Sequence, residues 1–192
     1  MALGEGSDKT QSFQNEACTL DLISESSTQT QEIGRRLGKL VSAGDLLLLD
    51  GQLGTGKTTF TQGLASGMNI AEVVNSPTFT LLKEYQGKES VVSHSSQEKK
   101  SPGLALYHFD LYRLDEPEEI FDLGFEDYFY GSGVSVVEWS GKAEMLWPTE
   151  RLYIRLRSMD ETKRRLTFIA TGARYCQLLQ QFQKNKYATT RS

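Results

Sequence analysis

The sequence predicts an α/β fold of three layers, a mostly parallel central sheet with helices on both faces and antiparallel edge strands. Three observations carry this. Short apolar runs, Leu46–Leu49 and Val134–Val137 among them, read as buried strands. Helical spacings alternate with such runs: Ile33, Leu37, Leu40 and Val41 come before the leucine run, and Phe60, Leu64 and Met68 after it. Residues 151–158 and 164–170 alternate apolar and polar side chains, as an antiparallel pair does.

Taken in order, residues 1–18 are polar with little to bury and read as a mobile tail. Thr19–Ile23 is a short candidate strand. Ser26, Ser27 and Thr28 offer N-caps to a helix that closes at Ala43-Gly44-Asp45 and shows Arg35, Arg36 and Lys39 outward. The leucine strand follows, then a helix from Lys57 to about Gly67. A strand runs through Tyr85, and residues 86–103, rich in Ser, Lys and Glu with Pro102-Gly103, read as a flexible inserted loop in which His94 is solvated. Leu104–Phe109 forms the next strand, ending at Asp110. Pro117 opens a helix through Ile120 and Phe121, and a second short helix covers Glu126 to Phe129. Val134–Glu138 is a strand ending in an acid. The turn Asp160–Lys163 joins the antiparallel pair, and a helix bearing Tyr175, Leu178, Leu179 and Phe182 closes a single domain over 19–185, before a polar tail at 186–192.

Composition narrows the function classes. At 192 residues the chain can bury one substantial core. Its net charge of −4 provides no global basic footprint for direct nucleic-acid binding. Cys18 and Cys176 lie far apart without metal-type spacing and read as two reduced thiols. There is no membrane-length apolar run and no signal-peptide core, so a cytoplasmic protein is expected.

The chemistry concentrates at residues 51–58, Gly-Gln-Leu-Gly-Thr-Gly-Lys-Thr, a complete G-x-x-x-x-G-K-[ST] phosphate loop between a buried strand and a helix. The glycines let successive N–H groups curl around a phosphate at the positive helix end. Gly54, Thr55, Gly56, Lys57, Thr58 and Thr59 form the nucleotide cradle, with Lys57 on the β/γ-phosphates and the Thr58 hydroxyl on Mg²⁺. The expected ligand is a nucleoside triphosphate, on a P-loop NTPase fold.

Two strands end in carboxylates, Asp110 and Glu138, at the sheet edge where α/β ligands sit. Each could help hold Mg²⁺, orient a water for attack on the γ-phosphate, cap a helix, or pair with Arg113. Thr78, in Ser76-Pro77-Thr78, falls where nucleotide switches place a γ-phosphate-sensing threonine, although a plain strand-leading turn also fits. Arg113 suits phosphoryl charge or a surface ion pair. Trp139, next to Glu138, suits a cover over the nucleotide or a core position.

Four motifs in this order, 51–60, Asn-Ser-Pro-Thr-Phe-Thr at 75–80, His-Phe-Asp-Leu-Tyr-Arg at 108–113 and Val-Glu-Trp-Ser at 137–140, make residues 19–170 similar to the TsaE (YjeE) family of bacterial ATPases. Leu-Asp-Glu-Pro-Glu-Glu-Ile at 114–120 and Leu-Gly-Phe-Glu-Asp-Tyr-Phe at 123–129 fit the same family. The resemblance implies an ATP- and Mg²⁺-dependent ATPase, slow in isolation. It would serve N6-threonylcarbamoyladenosine formation in tRNAs that read codons starting with adenine. It would act with TsaB- and TsaD-type partners and meet tRNA indirectly through them. It also implies Thr58 and Glu138 as Mg²⁺ ligands, Asp110 and Lys57 as catalytic groups, and Ser27 and Thr30 near the nucleotide. Gln52 stands where the family usually has an acid, and segment 86–103 is longer than usual.

The alternative on the same fold is a small-molecule kinase, which needs an acceptor pocket and an Arg-rich lid. The basic cluster Lys163-Arg164-Arg165 sits on a late hairpin and reads as a solvated face. A GTPase is disfavoured because no Asn-Lys-x-Asp guanine reader occurs. A scaffold with a relict loop is disfavoured by the intact Lys57, Thr58, Asp110 and Glu138.

Overall fold

Four consecutive leucines cannot leave either strand face in water, so Leu46–Leu49 takes the middle of the sheet. In this computed structural model, which describes residues 17–94, 97–101, 103–114, 119 and 124–188, that run is β2 (Leu46–Asp50). It lies between β7 (Gly133–Glu138) and β8 (Arg151–Ser158), both parallel to it. A fourth parallel strand, β6 (Ala105–Asp110), adds beyond β7. The edges are antiparallel: β3 (Leu82–Gln86) on β6 at one side, β9 (Arg164–Thr171) and then β1 (Cys18–Ser24) at the other. The order is β1-β9-β8-β2-β7-β6-β3, the expected mostly parallel sheet with antiparallel edges.

One face is covered by α1 (Ser27–Gly38), α2 (Lys57–Gly67) and α4 (Ala173–Ala188), whose Leu37, Phe60, Leu64, Leu178 and Phe182 pack on Leu47, Leu49, Ile154 and Phe168. On the other face α3 (Phe125–Phe129) and the 3₁₀ segment Ser140–Leu146, kinked at Ala143, cover Leu46, Leu48, Phe109 and Val137. Phe125 stacks on Phe109 at 4.4 Å.

Helices α1 and α2 run parallel at backbone contact. A Cβ at Gly34 would lie 2.2 Å from the Phe60 carbonyl oxygen, and one at Gly63 would lie 2.0 Å from that of Gln31. Glycine spaced i, i+4 on both helices (Gly34 and Gly38, Gly63 and Gly67) is therefore what brings the N-terminus of α1 beside that of α2. At the opposite end, α4 grips the start of β2. Arg174 donates to both Asp45 oxygens at 3.0 and 2.6 Å, and the Leu46 N–H donates to the Tyr175 hydroxyl at 2.8 Å.

Five expectations change. Residues Ser90–His94 (β4) and Gln97–Ser101 (β5) pair as an antiparallel hairpin, although their polar composition reads as irregular loop. Cys18 and Cys176 form a disulfide, not two separate thiols, with Cα atoms 5.5 Å apart. A separation of 158 residues in sequence is bridged because β1 pairs with β9 and α4 follows β9 directly, placing both sulfurs at one sheet edge. Cys18 thus belongs to β1, not to a tail. Helix α1 ends at Gly38, earlier than its apolar spacing suggests, and α4 runs through residues 186–188. The helix expected after Pro117 and nearly all of both tails lie outside the described residues.

Candidate nucleotide and metal site

Parallel pairing of β6 with β7 sets Asp110 across from Glu138 at the carboxyl ends of the two strands, and the same ladder pairs Glu138 with Leu49 of β2. The next residues of β2 lead into the phosphate loop, so strand register alone gathers both acids beside it. Alternation on β6 puts His108 on the face that carries Asp110. His108 and Glu138 are both almost fully buried. His108 Nε2 meets Glu138 Oε1 at 2.9 Å, and the Thr58 hydroxyl donates to Glu138 Oε2 at 3.2 Å.

The loop itself needs glycine. Gly54 and Gly56 have φ of +77° and +97°, a region that side-chain-bearing residues rarely adopt. Gly56 caps α2 without a side-chain hydrogen bond, leaving the first N–H groups of the helix facing the cavity. Lys57 is 5% exposed. Its Nζ donates to the Gly51 and Gln52 carbonyls at 2.7 and 3.0 Å and lies 3.9 Å from the centre of the Trp139 ring. Burial pulls the Lys57 ammonium below the usual lysine range, and Glu138, Asp110 and Asp50 oppose that pull. Trp139 takes φ of +61°, a strained conformation for a bulky residue, immediately after Glu138.

Asp110 joins two loops. Its Oδ2 accepts from Ser76 Oγ at 2.5 Å and Thr78 Oγ1 at 2.7 Å, while Oδ1 accepts from the Tyr112 N–H at 2.9 Å. Arg113 does not pair with it; the guanidinium sits 4.3 Å over the Phe79 ring, a second bridge between the same loops. Lys57, Thr58, Thr59, Gly54, Gly56, Thr78, Asp110, Glu138 and Trp139 all line one cavity of about 350 Å³.

A second cavity of about 240 Å³ lies across the glycine loop, lined by Ser26, Ser27, Thr30, Gly54, Gly56 and Thr59 with Glu161, Thr162 and Arg164. Ser27 and Thr30 therefore do reach the loop, by way of the α1–α2 glycine contact. The Thr30 hydroxyl itself is engaged with Ser24 Oγ at 2.8 Å and the Ser26 carbonyl at 3.2 Å. Thr55 is the candidate that turns away: its hydroxyl donates to the Gln52 carbonyl at 2.9 Å and its side chain lines a third cavity.

The donor set fits Mg²⁺ held jointly with a nucleotide. Among the described residues no cluster of three or more His, Cys, Asp or Glu forms a cage. One hydroxyl and one carboxylate converge instead, with the hard-oxygen chemistry of a cation that takes its other ligands from phosphate and water. Among the described residues His108 Nδ1 has no hydrogen-bond partner, and Nε2 carries the proton donated to the Glu138 carboxylate.

Sequence reading passed over two contributors. His108 enters the sequence reading only within the 108–113 motif, yet its i, i+2 spacing from Asp110 on a strand is the signal that both face one way. Arg164 reads as part of a solvated hairpin, but the β8–β9 turn folds back on the segment leading into α1, where Lys163 Nζ meets Glu25 Oε2 at 3.1 Å. Nothing local in the sequence shows that return.

Comparisons with known proteins converge on one family. The family model described as threonylcarbamoyl adenosine biosynthesis protein TsaE matches residues 24–166. A Bacillus subtilis (strain 168) protein named tRNA threonylcarbamoyladenosine biosynthesis protein TsaE is 40% identical over 82% of this chain and 89% of its own length. A Treponema pallidum (strain Nichols) protein of the same name is 37% identical over 76% of this chain and 96% of its own. The crystal structure of Bacillus subtilis YdiB superposes with a TM-score of 0.72 at 33% identity, covering 90% of this chain and 99% of that one.

Proposed function

The chain belongs to the TsaE family, and from that premise we propose that it is a Mg²⁺-dependent ATPase subunit serving N6-threonylcarbamoyladenosine formation in tRNA. One observation carries the reading: a single cavity holds a phosphate loop, its lysine, the Thr58–Glu138 pair and an Asp110 latched to Ser76 and Thr78. ATP would place its phosphates at the N-terminus of α2 under Lys57, and its adenosine in the cavity lined by Ser27, Thr30 and Arg164. Thr58 and Glu138 would hold Mg²⁺, which when bound neutralises charge on the phosphate oxygens. His108 keeps Glu138 turned toward Thr58. Asp110 is the group suited to orient an attacking water, and its hydroxyl partners Ser76 and Thr78 would register loss of the γ-phosphate by releasing or retaking it. Trp139 lies over the lysine ammonium and holds it by a cation–π contact.

In this role hydrolysis has no small acceptor to phosphorylate; its output is a change in TsaB- and TsaD-type partners, which meet the tRNA. Cytoplasm is the compartment that suits a tRNA-modification subunit, and no helix among the described residues is long and apolar enough to cross a membrane. The test is reconstitution. ATP turnover and tRNA threonylcarbamoylation are measured with the partners, with and without this chain. The expected result is slow basal turnover that rises with partners, and modification that stops when the chain is omitted. Rapid phosphorylation of a metabolite by the chain alone would overturn the reading.

A further inference from the structure

The sheet face opposite α1, α2 and α4 is only partly covered. The segments that pack there, α3 and Ser140–Leu146, lie over β2, β6 and β7. Alternation on β8 sends Leu152, Ile154 and Leu156 into the core under α1 and α4 and turns Tyr153, Arg155 and Arg157 to the other side. Antiparallel register then places Arg165 of β9 directly opposite Arg157. Both are exposed, and neither has a carboxylate partner among the described residues. Like charges directly across two strands destabilise a sheet. Arg157 and Arg165 form such a pair on a chain whose net charge is negative, so folding alone gives no reason for it.

Beside this pair lies a groove of about 700 Å³, lined by Asp50, Gln52, Thr55, Trp139, Arg155 and Arg157 among others. Part of its wall is the phosphate loop, and Trp139 also walls the cavity that contains Lys57 and Glu138. A ligand in the groove would thus press on the residue that covers the lysine.

We propose that this groove is a docking site for an acidic segment of a protein partner. Its exposed charge calls for an anion, and Arg, Tyr and Trp together are the side chains that dominate protein interfaces. An RNA backbone is the poorer match. Affinity for a nucleic-acid backbone comes from the number of phosphates neutralised by Lys and Arg, and here the face offers Arg155, Arg157 and Arg165. One of them, Arg155, is already shared with Asp50 at 3.7 Å and stacked on Tyr153. The inference rests on the proposed partner-dependent ATPase.

The experiment compares the full chain with Arg157→Glu, Arg165→Glu and the double variant, using purified TsaB- and TsaD-type proteins as probes. Partner affinity is measured across salt concentrations, and ATP turnover with and without partner. The double variant should lose at least about tenfold in partner affinity, show a shallower salt dependence and lose partner-stimulated turnover, with basal turnover unchanged. If the wild type binds and the double variant binds and responds equally well, the groove assignment is overturned while the function stands. If the wild type binds neither protein, the functional reading falls and takes this one with it. Loss of tRNA binding in the variant, with partner binding intact, would assign the face to RNA and overturn the proposal.

Discussion

Glu138 accepts the Thr58 hydroxyl at 3.2 Å across 80 residues of sequence, joining the end of a central strand to the first turn of the phosphate-loop helix. Both groups are hard-oxygen donors suited to one cation, whereas Asp110 is committed to the hydroxyls of Ser76 and Thr78. The two acids should therefore fail differently. Glu138→Ala should weaken ATP binding in Mg²⁺ far more than in EDTA, while Asp110→Ala should keep affinity and lower turnover by about 100-fold, the scale of a lost general base. Calorimetry and steady-state hydrolysis separate the two, and a reversed pattern exchanges the roles.

His108 should act through Glu138. Removing the Nε2 donor with His108→Phe leaves a buried carboxylate with one restraint fewer, and a group that orients a metal ligand is typically worth about 10–100-fold in metal affinity. Mn²⁺ titration of the ATP complex, followed by electron paramagnetic resonance, should show that loss. ATP affinity without metal should hold, and His108→Gln should restore part of the metal affinity. Equal Mn²⁺ affinity in wild type and His108→Phe would contradict the assignment.

Lys57 lends itself to a proton-counting test. Burial lowers its pKa in the free protein, and a bound triphosphate favours the ammonium and raises it again. Between the lowered pKa and the ordinary lysine value, nucleotide binding should therefore take up protons. Binding enthalpies at alkaline pH should vary with buffer ionisation enthalpy in that sense. Lys57→Ala should abolish the dependence and cost about 3 kcal/mol of affinity, the upper range for a hydrogen bond to a charged group. Undiminished affinity in that variant would remove the nucleotide-site assignment.

Gly63→Ala tests the helix contact that delivers Ser27 and Thr30. A methyl group 2.0 Å from the Gln31 carbonyl oxygen has no room, and overpacking of this kind costs about 1–3 kcal/mol. Denaturant midpoints should fall, and ATP affinity should fall with them because α1 must move off the loop. An unchanged midpoint would mean the helices are not held this closely.

Tyr175 ties stability to alkaline pH. Burial pushes its hydroxyl up to about 12 from an ordinary value of 10.0. With the folded value above the unfolded one, the native state holds the proton longer. Its stabilisation is complete below pH 10 and is lost as pH rises through 12, a change of about 2.7 kcal/mol for a two-unit shift. Tyr175→Phe should remove that slope, and at neutral pH should cost about 1–3 kcal/mol because the Leu46 N–H loses its acceptor. Urea unfolding across pH 8–11 reads both effects.

Local chemistry made much of this protein legible in one dimension. The leucine run could only be a central strand, Gly54-Thr55-Gly56-Lys57-Thr58 could be read as a phosphate cradle from spacing alone, and carboxylates at strand ends pointed to the ligand edge because parallel strands all finish there. What depended on contacts between distant segments was decided by the tertiary structure. Register set Glu138 against His108 and Thr58, and paired glycines brought Ser27 and Thr30 to the loop. The fold-back of the β8–β9 turn placed Arg164 in that same cavity. The β1–β9 pairing joined Cys18 to Cys176. The physical reason is range: turn conformation, capping and periodicity act within a few residues and are written locally, whereas these partnerships exist only once the sheet has closed and its burial has chosen among the alternatives.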